Sequence, residues 1–256
     1  MIKITFLGTG TSQGIPVIGS DHPVSFSDDL KDKRLRSSIL IEYKDFNFVI
    51  DCGPDFRQQM LRTKCRKLDA IIFTHEHADH TTGIDDVRPY FFRQGKIPIY
   101  LHERVLNSLH NRFAYIFDPK QKYPGAPDFE VNLITKENDF QILGLNFSPI
   151  EAVHYKLPVL GFRLGKFAYL TDVKTISDKE MLKLNGLDAL VINALRYESH
   201  PSHLNIEEAL EIVNQVKPKQ TFFTHISHNM GFHEEVCSNL PKSVSLAFDG
   251  LVLEVD

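Results

Sequence analysis

The stretch FTHEHADHTTGIDD, residues Phe73 to Asp86, places three histidines and an aspartate within six positions. The whole chain of 256 residues has 12 histidines, so chance is a poor explanation for this density. Burial without partners is also a poor explanation, because an unpaired buried polar group costs about 1–3 kcal/mol. We therefore expect a cation at this stretch, with further ligands supplied from elsewhere in the chain. The alternative is a solvent-exposed polar loop that binds metal only adventitiously.

Further residues of metal-binding type end short apolar runs. IIFTH ends at His75, IEAVH at His154, FAYLTD at Asp172 and TFFTH at His225. Strand ends in a layered sheet can converge on one rim, so these residues could share a site. A carboxylate offers two oxygens, and Asp172 could therefore bridge two ions about 3.5–4 Å apart. The predicted ligands are His75, His77, Asp79, His80, His154, Asp172 and His225.

Each later ligand has an ordinary alternative. Taken alone, His154 could be a partly buried histidine without a metal. Asp172 could cap the following helix, although Ser177 is the better cap for DKEMLKL. His225 and His228 both follow QTFFT, and we prefer His225 because it ends the strand directly.

The composition is that of an ordinary globular chain. It is 42% hydrophobic and 24% charged, which allows one large domain or two small ones. We find no repeat or linker, and therefore predict a single domain over residues 1–256. The net charge of -4 argues against a broad basic face for nucleic acid.

The cysteines and the N-terminus predict a soluble, cytoplasmic protein without a membrane partner. Cys52, Cys65 and Cys237 are odd in number and widely separated, which favours reduced thiols. The apolar run in MIKITFLGTGTSQG is too short for a signal peptide, and no later run approaches the ~18 apolar residues of a membrane span.

Short strand-like runs alternate with helical patterns in both halves of the chain. This order predicts an α/β protein with two sheets packed face to face and helices outside. Predicted strands include Ile2–Gly8, Ser37–Tyr43, Phe46–Asp51, FQILGLNFSPIEAV and SVSLAFDGLVLEV, and predicted helices include Asp79–Tyr90, Glu103–Phe113, Ser177–Leu184, Asn205–Val216 and His233–Leu240. The stretch Phe117–Val131 is predicted to be a surface loop.

The ligand order resembles that of the metallo-β-lactamase superfamily. Residues 75–80 match its H-x-H-x-D-H motif, and His154, Asp172 and His225 follow in the family's order. The resemblance implies a four-layer αββα sandwich. It also implies that Asp51 in FVIDCG orients the metal ligands and does not itself bind metal. It also implies a hydrolase with two divalent transition-metal ions, of Zn, Mn or Fe type.

Several segments narrow the resemblance to a phosphodiesterase subgroup that includes the phosphoribosyl 1,2-cyclic phosphate phosphodiesterases. These segments are ITFLGTGTSQGIPVIG, IDCGPDFRQQML, GIDDVRPYF and THISHNMGFHE. In that subgroup the histidine of SHLN, here His203, helps at the phosphate. Three cysteines of a structural zinc site are replaced here by Ser20, His22 and Ser25, so we expect His228 to contact His22 instead.

The resemblance implies cleavage of a small or cyclic phosphate ester by a metal-bound hydroxide, with Asp79 orienting it and His203 assisting the departing oxygen. One alternative is an enzyme like the tRNA 3′-end processing endonucleases, but the negative net charge of the chain argues against it. A second is a non-catalytic, metal-stabilised binding module, against which the complete ligand set stands. Whether the chain forms a homodimer is left open.

Overall fold

The computed structural model describes residues 1–255, which form two mixed β-sheets flanked by helices. The strands are β1 Ile2–Gly8, β2 Ser38–Tyr43, β3 Phe46–Ile50, β4 Ala70–Ile72, β5 Ile97–Leu101, β6 Phe129–Leu133, β7 Phe140–Ile142, β8 Leu145–His154, β9 Leu157–Leu164, β10 Phe167–Tyr169, β11 Thr175–Ile176, β12 Ala189–Asn193, β13 Gln220–Thr224, β14 Val244–Leu246 and β15 Val252–Val255. The first sheet has the order β15-β1-β2-β3-β4-β5-β6. The second has the order β11-β8-β9-β10-β12-β13-β14, with β7 paired to β8.

The helices cover the outer faces of the two sheets. They are α1 Phe56–Thr63, α2 Ala78–Thr81, α3 Arg88–Gln94, α4 Glu103–Arg112, α5 Ala114–Phe117, α6 Asp178–Met181, α7 Ile206–Val216 and α8 His233–Asn239. Short 3-10 turns lie at Pro23–Phe26, Leu30–Asp32, Thr82–Val87, Leu182–Leu184 and His228–Met230. Within residues 1–255, none of the helices combines the length and apolar character needed to cross a bilayer.

Three apolar clusters hold the layers together. The central cluster joins the inner faces of both sheets and includes Phe48 from β3 and Phe162 from β9. Side chains alternate across a strand, so Val49 points the other way and packs with Phe56 of α1 in an outer cluster. A second outer cluster packs α7 against the other sheet, for example through Val213. The αββα prediction is confirmed.

Two predicted strands are divided by turns. FQILGLNFSPIEAV forms the hairpin β7–β8, because Leu143 and Gly144 turn with φ of 47° and 88°. SVSLAFDGLVLEV supplies β14 to one sheet and β15 to the other, with Gly250 at a φ of 94° between them. The apolar residues on both sides of each turn concealed the breaks, although Gly144 and the pair Asp249–Gly250 are residue types that favour turns.

The predicted helix Asp79–Tyr90 is also divided. It is α2, then a 3-10 turn at Thr82–Val87, then α3, with Pro89 in the first turn of α3. Proline lacks an N–H and obstructs the preceding helical turn, so one continuous helix cannot run through Pro89. The loop prediction is accurate between α5 and β6, although Phe117 and Phe129–Val131 belong to those elements.

Candidate active site

The carboxyl ends of several strands meet at one rim between the sheets. β3, β4 and β5 run parallel to one another, as do β10, β12 and β13, so each group delivers its following residues to the same edge. His75 follows β4, Asp172 follows β10 and His225 follows β13 directly. His154 is the last residue of β8, and Asp79 lies in α2.

The seven predicted ligands are brought together at this rim. The His75 ring centroid lies 4.6 Å from that of His77 and 4.3 Å from that of His80. The ring centroids of His77 and His154 are 5.1 Å apart. His225 stacks on His80 with the ring centroids 5.7 Å apart.

The carboxylate of Asp172 lies close to the rings of His80, His225 and His203. Its Oδ2 is 3.1 Å from His80 Nε2 and 3.3 Å from His225 Nδ1. Its Oδ1 is 3.8 Å from His203 Nδ1. Ligand atoms of Asp172, His154 and His203 also lie within 4.8 Å of one another, so Asp172 is close to predicted ligands of both proposed ions.

Three residues of the site adopt left-handed backbone conformations that non-glycine residues rarely take. Asp51, Asp172 and His225 have φ values of 66°, 58° and 55°. Each stands just after a strand, where the turn redirects its side chain toward the rim. Such strain persists where the surroundings enforce it, and it concentrates at functional sites.

Polar groups behind the histidines fix their orientation. His80 Nδ1 lies 2.7 Å from Asp51 Oδ2, and Asp51 also accepts hydrogen bonds from the backbone N–H and hydroxyl of Thr74. His154 Nδ1 donates to the carbonyl of Ser202 at 2.7 Å. A partner on one ring nitrogen leaves the other nitrogen to face the site, which is the usual arrangement of metal-binding histidines.

The buried nitrogens left over fit a metal centre. Within residues 1–255, His75 Nε2 is buried without a hydrogen-bond partner, and His80 Nε2 faces the carboxylates of Asp172 and Asp79 at 3.1 and 3.2 Å. Ligand atoms of Asp79, His80, Asp172 and His225 lie within 4.8 Å of one another. Imidazole and carboxylate together suit divalent transition metals. The seven residues thus have the chemistry and proximity to hold such ions.

The direction of the pKa shifts in the cluster also indicates that the site favours positive charge. Burial alone would raise the pKa of Asp172, but the surrounding imidazoles of His225 and His80 hold it well below its usual range. Burial alone would lower the pKa of His80, but Asp79, Asp172 and Asp51 together raise it well above its usual range. These carboxylates therefore favour a positive charge at His80, and metal binding is expected to replace its proton.

His203 and His228 lie in different surroundings. His203 is buried at the rim, with its ring centroid 4.5 Å from that of His154 and 4.9 Å from that of His225. The capping box of Asn205 and Glu208 begins α7 two residues later and fixes this segment. His228 makes an edge-on contact with His22, with the ring centroids 5.2 Å apart.

An arginine on α4 was not singled out from the sequence. Arg104 Nε donates to Glu76 Oε1 at 2.7 Å, and its Nη2 donates to the carbonyl of Pro158. Arg104 thereby joins the HEHADH stretch to β9, the neighbour of the strand that carries His154. The sequence signal was the carboxylate of Glu76 between two histidines, which needs a cationic partner once it is partly buried.

We expect Arg104→Gln to weaken metal binding about tenfold, because loss of outer hydrogen-bond partners typically costs 10–100-fold in affinity. Competition with a chromogenic chelator would measure this. Arg93→Gln is the control, since Arg93 packs over the Tyr90 ring and contacts Arg66 O. Equal affinity in both variants would show that Arg104 does not position the ligands.

A cavity of about 600 Å³ opens beside the cluster. It is lined by His77, His154, Tyr155, Lys156, Leu157, Pro201 and Ser202. Two predicted ligands thus face a space large enough for a small organic molecule.

Helix-flanked sheets with a rim of histidines and aspartates define a hydrolase of the metallo-β-lactamase fold. The chain belongs to this superfamily: the family model for the beta-lactamase superfamily domain matches residues 46–226. The fold implies divalent metal ions, with which the cluster is compatible.

Among solved structures, a diphosphatase from the PhnP family is similar to the chain with a TM-score of 0.93 and 39% identity, covering 100% of this chain and 98% of that one. Human tRNase Z, short form, shares the fold with a TM-score of 0.73, 17% identity and 99% coverage of both chains. The chain is a PhnP-like member of the superfamily.

Two curated relatives carry other names. An octanoyltransferase of Porphyromonas gingivalis is 37% identical over 257 residues, covering 100% of this chain and 52% of that protein. A ribonuclease Z of Bradyrhizobium diazoefficiens is 35% identical over 86 residues, covering 33% of this chain and 23% of that protein. The chain spans about half of the first relative and less of the second, so their names describe longer proteins.

Proposed function

We propose that the protein is a metal-dependent phosphohydrolase that cleaves a P–O bond in a small phosphodiester, cyclic phosphate or diphosphate. The observation that carries this proposal is the buried cluster of carboxylates and imidazole nitrogens at the cavity of about 600 Å³. The 39% identity to a diphosphatase supports a phosphorus-containing substrate.

Metal ions at this cluster supply Lewis acidity and lower the pKa of coordinated water. His75, His77 and His154 would hold one ion, Asp79, His80 and His225 a second, and Asp172 both. Two ions, and the choice among Zn, Mn and Fe, are part of this proposal.

The chain's own residues would then orient the reactants. As a ligand of a metal ion, Asp79 would stay ionised, because metal binding favours the deprotonated form of its ligands. Its second oxygen could then accept a hydrogen bond from the attacking water. His203 Nδ1 lies 3.8 Å from Asp172 Oδ1, and His203 could hydrogen-bond the departing oxygen.

A ribonuclease Z activity is the second candidate, since the 86-residue match to such an enzyme is 35% identical. The net charge of -4 opposes it, because binding of a long polyanion depends on many basic contacts. Its substrate would be a tRNA precursor with a 3′ extension.

The test is hydrolysis of bis(4-nitrophenyl) phosphate, inorganic diphosphate and a tRNA precursor by protein loaded with Zn, Mn or Fe. We expect turnover of a small substrate, lowered about 10²–10⁴-fold in Asp79→Asn. Asp45→Asn is the control, because Asp45 is exposed in the β2–β3 turn. Cleavage of the tRNA alone would favour the second candidate, and no cleavage by fully loaded protein would contradict both.

A further inference from the structure

A two-residue turn at the cavity carries an aromatic ring and a cation. Tyr155 and Lys156 connect β8 to β9, where His154 pairs with Leu157. Because His154 is a predicted ligand, the turn projects from the edge of the metal cluster. Both turn residues line the cavity.

Tyr155 occupies a position that disfavours tyrosine in two ways. Its φ is 58°, in the left-handed region where glycine or asparagine is preferred. Its relative exposure is 62%, so little burial compensates for that conformation. The same turn position is taken by Gly165 between β9 and β10, with a φ of 57°, and by Lys44 between β2 and β3, with a φ of 54°. Strained residues of this kind occur at ligand clamps.

Lys156 gives the cavity a positive charge without an internal counter-charge. Within the described part of the chain its Nζ forms no ion pair, and it lies 5.3 Å from the Tyr155 ring centroid. The other wall, Pro201 and Ser202, carries no charge. A ligand that is complementary to Tyr155 and Lys156 therefore combines a flat apolar group with a negative charge.

We propose that Tyr155 and Lys156 form a leaving-group subsite for nucleoside diphosphates. The Tyr155 ring would stack on the base, and Lys156 would bind the phosphate next to the ribose, while the terminal phosphate lies at the metal cluster. This inference rests on the proposed function and names its substrate class.

The reaction is a hydrolysis that balances without a further reactant. The oxygen of one water bonds to the terminal phosphorus, and the bond from that phosphorus to the bridging oxygen breaks. The bridging oxygen and its electron pair remain with the nucleoside monophosphate. The protons of the water pass to inorganic phosphate, the monophosphate or solvent.

Adenosine diphosphate and inorganic diphosphate separate the two roles, because they differ in the nucleoside. We expect Tyr155→Asn to lower kcat/KM for adenosine diphosphate about 10–100-fold, in line with the contribution of base stacking. It should change kcat/KM for inorganic diphosphate less than about twofold. Asparagine tolerates the left-handed backbone, and Tyr155→Phe should restore stacking.

Lys156→Ala should lower kcat/KM for both diphosphates about tenfold at low ionic strength, and less at high salt. Lys44→Ala is a matched control, because Lys44 also lies in a two-residue hairpin turn, with its Nζ 5.0 Å from the Tyr43 ring centroid. Equal losses in Lys44→Ala would contradict a specific role for Lys156.

Binding of adenosine monophosphate, measured by calorimetry, tests the subsite apart from catalysis. The wild type should bind it, and Tyr155→Asn should weaken binding about tenfold or more. Failure of the wild type to bind, or equal binding by the variant, would overturn the subsite. Turnover of bis(4-nitrophenyl) phosphate alongside either result would leave the proposed function standing, whereas its absence with intact nucleotide binding would reject the proposed function alone.

Discussion

Replacing Asp172 by alanine is expected to lower metal occupancy throughout the cluster and to reduce turnover by about 10³-fold, the upper end of what loss of one electrostatic stabiliser costs. The physical reason is that Oδ2 lies between His80 and His225 while Oδ1 faces His203. Removal of this carboxylate would take away the proposed shared ligand, and it would leave His80, His225 and His203 without this nearby negative charge. Elemental analysis of protein purified without chelators would measure the metal content directly.

The matched control for this change is Asp45→Ala at the exposed β2–β3 turn. Circular dichroism should show that Asp172→Ala remains folded, because the three apolar clusters do not depend on this carboxylate. Clean loss of one ion, with the second fully retained, would contradict a bridging role. Unchanged metal content would remove Asp172 from the ligand set.

The fold was largely predictable because apolar periodicity and strand-end chemistry agreed along the chain. Runs such as Ile2–Gly8 and Phe46–Asp51 alternate or end as strands require, and the structure places them within one residue. The errors lie where a turn interrupts an apolar run, as at Leu143 and Gly144. Hydrophobicity alone does not mark such a turn, since leucine rarely adopts a left-handed conformation.

The site was predictable where the residue type itself is informative. Histidine and aspartate at strand ends each have ordinary alternatives, but the dense cluster at residues 75–80 made His154 and Asp172 credible ligands without a structure. Arg104 and Tyr155 were not found, because arginines and tyrosines are common on surfaces. Arg104 stands out because its partner Glu76 is partly buried, and Tyr155 stands out because an exposed residue adopts a left-handed backbone conformation. Neither property can be seen in single-sequence patterning.

We expect His203→Gln to retain the metal content and to slow ribose or alkyl phosphate esters about 10²–10⁴-fold, the usual contribution of general acid–base catalysis. Nitrophenyl esters should slow much less. A nitrophenolate leaves readily as an anion, whereas a sugar alkoxide is strongly basic and needs a proton. Rates should be compared as kcat near saturation, so that weaker binding is not mistaken for slower chemistry.

The protonation state of His203 determines whether it can transfer a proton to the departing oxygen or only donate a hydrogen bond. Burial, followed by the effect of His225, lowers the pKa of His203 to about 3, so the ring is neutral at pH 7. A neutral ring can donate its N–H as a hydrogen bond, but it cannot transfer that proton easily. Proton donation therefore requires a bound phosphate, whose negative charge raises the pKa of the adjacent imidazole.

The variants His203→Gln and His200→Gln distinguish proton transfer by His203 from binding of the phosphate by His203. The glutamine of His203→Gln can still donate a hydrogen bond but cannot transfer a proton, so a large loss confined to basic leaving groups would identify proton transfer. Equal slowing of both ester types would instead assign His203 to holding the phosphate. His200→Gln is the control, because His200 lies in the same segment with its ring centroid 5.2 Å from that of His203. If His200→Gln reproduced the selective loss, His203 could not be identified as the specific proton donor.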